Sequence, residues 1–300
     1  MAALPAHLVA TPVLERLARP VRGVVLGAGA TAAWVDLNGF VAAVTTREVP
    51  LLPNAVALTA GSGALAGAAP GAPARLAPGR LDLGALRVTW DPAAPPTWDP
   101  TVPVPRALGR GAVARRAAAL HNALGAVDGD GNPLPASAML PRLGLATATD
   151  PDGAAALGLL FRAVRERDPE PAARAARGLL GRGPGLTPEG DDLVAAVAGT
   201  LAVLGPVTGW ERPLLTGFLA ALVDPAPERT TAPSATLLQL AARGWLAEPA
   251  GRLLDLGPEG EAAWPAALAR LARLGHGSGR AYAAGIAATT GLLATGAPAG

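Results

Sequence analysis

The pattern of apolar and polar positions divides the chain into two parts with different periods. Between residue 20 and about residue 105, short apolar runs are interrupted by Gly, as in VRGVVLGAGATAAWVDLNGFVAAVTTREV. Short runs bounded by turn residues are typical of β-strands. The pair Asn38 and Gly39, between WVDL and FVAAV, predicts a two-residue hairpin turn. A further strand is predicted at ALRVTW, residues 85–90.

From Arg106 onward, apolar residues recur every three or four positions, which is the spacing of helices with one buried face. The Pro-dense stretch DPAAPPTWDPTVPVP, residues 91–105, separates the two patterns and is predicted to be extended or looped. We therefore predict an α+β fold, with a β-rich N-terminal domain at 1–105 and a predominantly α-helical C-terminal domain at 106–300 that carries the Gly-rich motifs.

Composition narrows the chemistry that the chain can perform. Half of its 300 residues are apolar, which allows a sizeable core, but it has no Cys, and each of its 25 basic residues is Arg. This excludes a lysine Schiff base, a Walker-type lysine and a thiolate nucleophile. With three His and one Tyr, the remaining catalytic groups are chiefly Asp, Glu, Ser and Thr.

Other function classes are disfavoured by the same composition. Aromatic residues make up 3% of the chain and the Arg residues are dispersed, so the sequence does not resemble a nucleic-acid-binding protein. The N-terminus has no charged region ahead of an apolar one, and the longest apolar stretch, residues 193–207, is too short to span a bilayer. We expect a cytoplasmic protein that does not bind membranes.

The stretch GRGPGLTPEGDD, residues 181–192, is the first candidate site. Thr187 and Pro188 predict a helix start with Thr187 as N-cap, and Glu189, Asp191 and Asp192 would then lie in the first turn, where they favour the helix dipole. That role alone leaves Gly183 and Gly185 unexplained. These glycines let a ligand approach the backbone, and helix-start N–H groups bind anions. Two arrangements stay open: a divalent cation or Arg bridges the carboxylates, or an anion binds on the glycine side while an Asp faces a nitrogen.

Two further motifs carry polar side chains at predicted helix starts. In RTTAPS, Arg229 offers a planar fork for an oxyanion, and Thr230, Thr231 and Ser234 add hydroxyls or cap the next helix. In GHGSG, His276 precedes Gly277 and Ser278, and three roles stay open for it: a general acid or base, a group that orients an anion, or a structural residue. We interpret His7 and His121 as structural. No two His residues have the spacing of zinc ligands, so we do not expect a zinc site. Binding of Mg²⁺ by Asp191 or Asp192 stays open.

These three motifs together resemble a known family. GRGPGLTPEGDD is similar to the signature G-x-GPGLTP-S-GDD of the AllH-like proteins, typified by a subunit of oxamate carbamoyltransferase in allantoin and purine degradation. RTTAPSATLLQLAARGWLAEP at 229–249 and GHGSGRAYAAG at 275–285 fit the same pattern in the same order. The resemblance covers the helical part of the chain. This chain has Glu189 where the family usually has Ser.

The resemblance implies an enzyme or enzyme subunit that acts on a small molecule together with a second protein subunit, in a hetero-oligomer. Phosphate, sulfate or carboxylate would be held by the backbone at Gly183, Gly185 and Gly277, by Arg229, and by the hydroxyls of Thr187, Thr230, Thr231, Ser234 and Ser278. Asp191 or Asp192 would bind or deprotonate a nitrogen nucleophile, as in carbamoyl transfer from carbamoyl phosphate. Two alternatives stay open: ring closure in specialised biosynthesis, in which an internal amine displaces sulfate or phosphate as in a cyclase or lyase, and a non-catalytic partner subunit.

Overall fold

A computed structural model of the chain describes residues 2–104, 109–130, 134–255, 263–275 and 277–295. It divides into two compact units, Met1–Pro100 and Thr101–Gly300. The first unit is built of strands and the second of helices, so the predicted α+β class is confirmed.

The N-terminal unit is a closed β-barrel. Its sheet has the strand order β5-β4-β3-β2-β6-β7-β8-β1-β9, and β1 also pairs with β5, which closes eight of the strands into a ring. Closure pairs the strand edges that would otherwise be open to other chains. The strands are β1 Ala2–Ala10, β2 Val21–Ala28, β3 Ala32–Asp36, β4 Val41–Thr45, β5 Ala55–Leu58, β6 Pro73–Ala77, β7 Arg80–Leu83, β8 Leu86–Thr89 and β9 Thr97–Trp98.

The predicted hairpin turn is confirmed at the junction of β3 and β4. Asn38 has φ of 59° and Gly39 has φ of 84°, the positive values that a two-residue turn of this kind requires. The Gly39 N–H donates to Asp36 Oδ1 at 2.7 Å and fixes the turn. The strand predicted at 85–90 is present as β8. The strand β1 was not predicted, because the apolar pattern was taken to begin at residue 20.

The second unit is helical throughout its described residues. Short helix α1, Thr11–Leu14, belongs to the barrel unit, and the helices of the second unit are α2 Arg110–Ala123, α3 Ala136–Arg142, α4 Ala146–Thr149, α5 Pro151–Glu166, α6 Pro169–Leu179, α7 Glu189–Leu204, α8 Arg212–Val223, α9 Ala226–Arg229, α10 Ala232–Ala241, α11 Glu248–Leu254, α12 Trp264–Leu271 and α13 Ser278–Thr295. None of the helices in the described ranges is long and apolar enough to cross a membrane.

Helices α7 and α13 form the core of the helical unit and are buried along most of their lengths. Their backbones approach closely, because a Cβ on Gly285 would lie 2.6 Å from the Cβ of Ala196. A side chain larger than hydrogen at residue 285 would force the two helices apart. Their packing brings the first turn of α7, with Asp191 and Asp192, close to the first turn of α13.

Candidate functional site

The Gly-rich loop at 181–188 depends on three glycines with positive φ: 79° at Gly181, 110° at Gly183 and 96° at Gly185. Two of them also lack room for a side chain. A Cβ on Gly181 would lie 2.5 Å from the carbonyl oxygen of Arg229, and one on Gly183 would lie 2.9 Å from the amide nitrogen of Glu189. The loop therefore packs against both the 229–231 segment and the start of α7.

The prediction that Thr187 caps α7 is wrong. The helix begins at Glu189, its N-cap residue is Pro188, and no side chain caps it. The Thr187 hydroxyl instead lies 3.1 Å from the Ser278 hydroxyl, at the start of α13. The loop is thus joined to the third motif by a hydroxyl pair, which the local Thr-Pro signal does not reveal.

Asp191 connects the loop to the second motif. Its Oδ1 accepts the Gly181 N–H at 2.7 Å, and its Oδ2 accepts the Thr230 hydroxyl. Burial raises the pKa of Asp191, while the Thr230, Gly181 and Ser234 donors oppose that rise because they favour the ionised form. Because each of its oxygens accepts a hydrogen bond, Asp191 links the Gly-rich loop to the 229–231 segment.

Asp192 has a different environment one residue later. It is buried, and within the described residues its Oδ2 has no hydrogen-bond partner. Burial raises its pKa well above the usual value, the charges of Asp191 and Glu189 raise it further, and the facing Ser278 hydroxyl lowers it. Asp192 also acts on Tyr282 of α13, whose pKa is raised well above its ordinary value by burial and then by the two Asp charges. A buried carboxyl with an unpartnered oxygen is costly unless it holds a proton or meets a ligand.

The loop tip is fixed by the start of α10. Thr231 is the N-cap of α10, and its hydroxyl accepts the Ser234 N–H and donates to the carbonyl oxygen of Leu186. The Ser234 hydroxyl also points to that carbonyl, at 3.5 Å. Thr231 and Ser234 therefore hold the loop at Leu186, so both hydroxyls are already engaged with protein atoms.

The same loop presents backbone donors that have no protein acceptor. Pro184 has no N–H, and no acceptor among the described residues takes the N–H of Gly183, Gly185, Leu186 or Thr187. Residues 183–186 are exposed and Thr187 is half-buried. We call residues 183–187 the amide loop.

Two arginines near the amide loop differ in availability. The guanidinium of Arg182 donates to the Gly178 carbonyl at 2.5 Å and to Asp150 Oδ2 at 2.6 Å, so it is committed to the start of α5. Arg229 is exposed at the end of α9, and its guanidinium forms neither an ion pair nor a hydrogen bond with any part of the chain that the structure describes. The guanidinium of Arg229 is therefore not committed to a protein group in the described residues.

Glu189 also has a structural contact. Its Oε1 accepts the backbone N–H of Thr147, at the start of α4, at 2.7 Å. Its Oε2 lies near Gly277, because a Cβ placed there would be 3.8 Å away. The carboxylate that replaces the family's Ser therefore joins α4 to the start of α7.

The structure brings together the predicted residues of all three motifs except one. Asp191 contacts Thr230, Leu186 contacts Thr231 and Ser234, and Thr187 contacts Ser278. His276 lies outside the described residues, so its proposed role stays a prediction. Within the described ranges, no group of three or more His, Asp or Glu residues is arranged to hold a metal ion.

Comparison with known proteins agrees with this geometry. Residues 179–290, which include all three motifs, match the family model described as oxamate carbamoyltransferase subunit AllH. This segment is AllH-like. The resemblance to the AllH family is therefore confirmed over residues 179–290 of the 300-residue chain. Comparison with curated proteins and with solved structures gives no match.

Sequence reasoning missed three residues of the AllH-like segment and its surroundings. Tyr282 was not singled out as a site residue, although it lies four positions after Ser278, which is about one helical turn. Arg182 lies inside the first motif, but no local sequence pattern indicates that its partner is Asp150. Thr147 contributes only its backbone N–H, which no sequence pattern identifies.

Proposed function

We propose that this chain is a carbamoyltransferase-related subunit in which the amide loop binds the phosphate group of carbamoyl phosphate. Asp192 then acts on the nitrogen that accepts the carbamoyl group. The observation that carries the proposal is the set of four N–H groups without protein acceptors, at Gly183, Gly185, Leu186 and Thr187. Backbone N–H groups ahead of a helix start are a suitable site for a phosphate or a sulfate.

The charges around the loop are compatible with an anion. Asp191 is the acid nearest to Gly181, but its two oxygens already accept hydrogen bonds from Gly181 and Thr230. Arg229 directly precedes Thr230 in the chain and adds a positive charge to this segment, and its planar fork matches the geometry of phosphate oxygens. The anion would bind on the glycine side of the loop, away from Asp192.

Asp192 is the better of the two Asp residues for proton transfer. Burial raises its pKa well above the usual value, which makes its carboxylate a stronger base, and one of its oxygens has no partner among the described residues. The amine or amide nitrogen would attack the carbonyl carbon of the carbamoyl group. The bond from that carbon to the phosphate oxygen would break, phosphate would leave, and Asp192 would take the proton that nitrogen loses.

A second protein chain is part of the proposal, because the matched family model is described as a subunit. We expect the partner to complete the site that binds the accepting nitrogen. If the chain alone binds carbamoyl phosphate but does not turn it over, addition of the partner should restore the reaction.

The test is calorimetric titration of the purified chain with carbamoyl phosphate, phosphate and sulfate, with and without Mg²⁺. We expect saturable binding that weakens at least about tenfold in Arg229→Ala, because a hydrogen bond to a charged group is lost. Arg177→Ala is the matched control, since Arg177 is exposed on α6 outside the three motifs. An absence of binding under every condition would refute the anion site and favour the non-catalytic partner subunit.

The ring-closing alternative uses the same groups with a different substrate. Incubation with carbamoyl phosphate and an amine, compared with incubation with sulfated or phosphorylated amines, separates the two reactions by the anion that is released. Carbamoyl transfer requires phosphate release that depends on the added amine. Release of sulfate or phosphate from the amine ester itself would contradict carbamoyl transfer and favour ring closure.

A further inference from the structure

A cavity of about 410 Å³ lies among α2, α3, α5 and α13, away from the three motifs. This volume is within the range of small-molecule sites in proteins. The described lining residues include no Asp or Glu, but they include two arginines and three other polar residues: His121, Ser137, Arg162, Arg165 and Thr295. The cavity is therefore polar and positively charged on one side.

Arg162 and Arg165 carry that charge. They are three positions apart on α5, so they lie on the same face of the helix. Across the residues that the structure describes, neither guanidinium has a carboxylate partner or a hydrogen bond. Two like charges in adjacent positions repel each other, and an anion bound between them removes that repulsion.

A smaller apolar pocket adjoins the cavity. It has a volume of about 100 Å³, shares Ser137, Gly158 and Phe161 with the larger cavity, and is otherwise lined by apolar side chains such as Leu140 and Leu157. Gly158 borders both spaces, and a Cβ built on it would have no other atom within 4 Å. This pocket suits a short hydrocarbon group attached to the anion.

His121 supplies a hydrogen-bond acceptor on the opposite wall. Its Nδ1 lies 2.7 Å from the Ala117 carbonyl oxygen, and burial lowers its pKa, so the ring is neutral with its proton on Nδ1. Its Nε2 then keeps a lone pair. The facing residue is Gly291, whose missing side chain leaves Nε2 uncovered, since a Cβ there would lie 3.7 Å from it.

We infer that this cavity is a second binding site, for a small organic anion with a carboxylate or phosphate head group and a short apolar tail. The head group lies between Arg162 and Arg165, and the tail occupies the pocket beside Gly158. Ser278 and Gly291 are thirteen positions apart on α13, which corresponds to about 20 Å along the helix. A small substrate held at the amide loop does not reach that far, so the two sites bind separate molecules.

The test is a titration of the full chain, followed by saturation-transfer NMR, with hexanoate and hexyl phosphate as probes and with acetate and inorganic phosphate as their tailless counterparts. Arg162→Ala and Arg165→Ala remove one head-group contact each. Gly158→Leu fills the junction of the two spaces while leaving both charges. Gly217→Leu is its matched control, because Gly217 is an exposed helical glycine on α8 with the same open surroundings and does not line this cavity.

We expect the tailed probes to bind saturably and more tightly than the tailless ones. Each Arg→Ala substitution should weaken that binding about tenfold, Gly158→Leu should abolish it, and Gly217→Leu should leave it unchanged. The preferred head group, carboxylate or phosphate, identifies the class of ligand. The inference is overturned if no tailed probe binds, or if binding persists in Gly158→Leu and in both Arg variants. All these titrations are made in the Arg229→Ala background, in which anion binding at the amide loop is weakened, so a failure of this site and a failure of the proposed function can be distinguished.

Discussion

Asp191 and Asp192 are adjacent in sequence but have opposite hydrogen-bonding states in the folded chain. Both oxygens of Asp191 accept hydrogen bonds, from Gly181 and Thr230, whereas Oδ2 of Asp192 accepts none within the described residues. Successive residues of a helix point about 100° apart, so one carboxylate faces the loop and the next faces α13. Asp191 is therefore held by two donors, whereas one oxygen of Asp192 is left without a donor among the described residues.

The first prediction concerns stability. Asp191→Ala should lower the free energy of unfolding by about 2–4 kcal/mol, because the Gly181 N–H and the Thr230 hydroxyl lose their acceptor. Asp192→Asn, which keeps the shape and removes a buried charge, should cost much less. Urea unfolding of both variants checks this. An equal loss in the two variants would contradict this difference between the two residues.

The second prediction concerns pH. Burial raises the pKa of Asp192 above its unfolded value near 3.8, so the folded chain holds more protons than the unfolded chain above that pH. Stability from this group is complete below the unfolded pKa and is lost as pH rises through the folded pKa. The unfolding free energy of Asp192→Asn, relative to the natural chain, should therefore increase with pH from about pH 4 upward.

The pH prediction is measured by urea unfolding at a series of pH values. Asp224→Asn, at an exposed carboxyl beyond the end of α8, is the control and should give a profile parallel to that of the natural chain. A constant difference between Asp192→Asn and the natural chain at all pH values would show that Asp192 ionises as freely in the folded chain as in the unfolded one.

The third prediction concerns two glycines, Gly181 just before the amide loop and Gly185 within it. Gly181→Ala and Gly185→Ala both place a side chain at positive φ, but only the Ala at 181 would also collide with the Arg229 carbonyl. Gly181→Ala should lose about 1–3 kcal/mol more of unfolding free energy than Gly185→Ala. Thermal or urea unfolding of the two variants measures this difference. Equal losses would mean that the loop does not pack on the 229–231 segment as described.

The fourth prediction concerns Glu189. Glu189→Ser restores the residue of the family signature and removes the acceptor of the Thr147 N–H, so the free energy of unfolding should fall by about 1–2 kcal/mol. The loss of a negative charge next to Gly183 should at the same time tighten phosphate binding about two- to tenfold. Glu189→Gln keeps an accepting oxygen and should lose less stability. Calorimetry and urea unfolding on the same samples test both effects.

The fifth prediction concerns turnover. In the proposed carbamoyl transfer, Asp192→Asn should lower the rate at least about 100-fold, because the group that takes the proton is lost, while phosphate binding at the amide loop should persist. Rate assays with carbamoyl phosphate and an amine, in the presence of the partner subunit, measure the first effect and calorimetry the second. Full activity in Asp192→Asn would exclude it as the base.

Local features of this chain were predictable because their causes lie within a few residues. The Asn38-Gly39 turn, strand β8 and the carboxylates in the first turn of α7 follow from neighbouring side chains and backbone preferences. The closure of the barrel depends on pairing between β1 and β5, some fifty residues apart, which no local pattern specifies. Thr187 was misassigned for the same reason, since its partner Ser278 lies 91 positions away.

The anchoring of the amide loop has a consequence for the thermodynamics of binding. Asp191 holds Gly181, just before the loop, Thr231 holds Leu186, and Ser278 holds Thr187, so the shape of the loop is established when the chain folds. A flexible loop would lose conformational entropy each time a ligand ordered it, at about 1–2 kcal/mol per residue. In this chain the loop loses that conformational entropy once, during folding, so its N–H groups are preorganised for an anion. Loosening any one of the three anchors should therefore weaken binding even though none of them touches the ligand through its side chain.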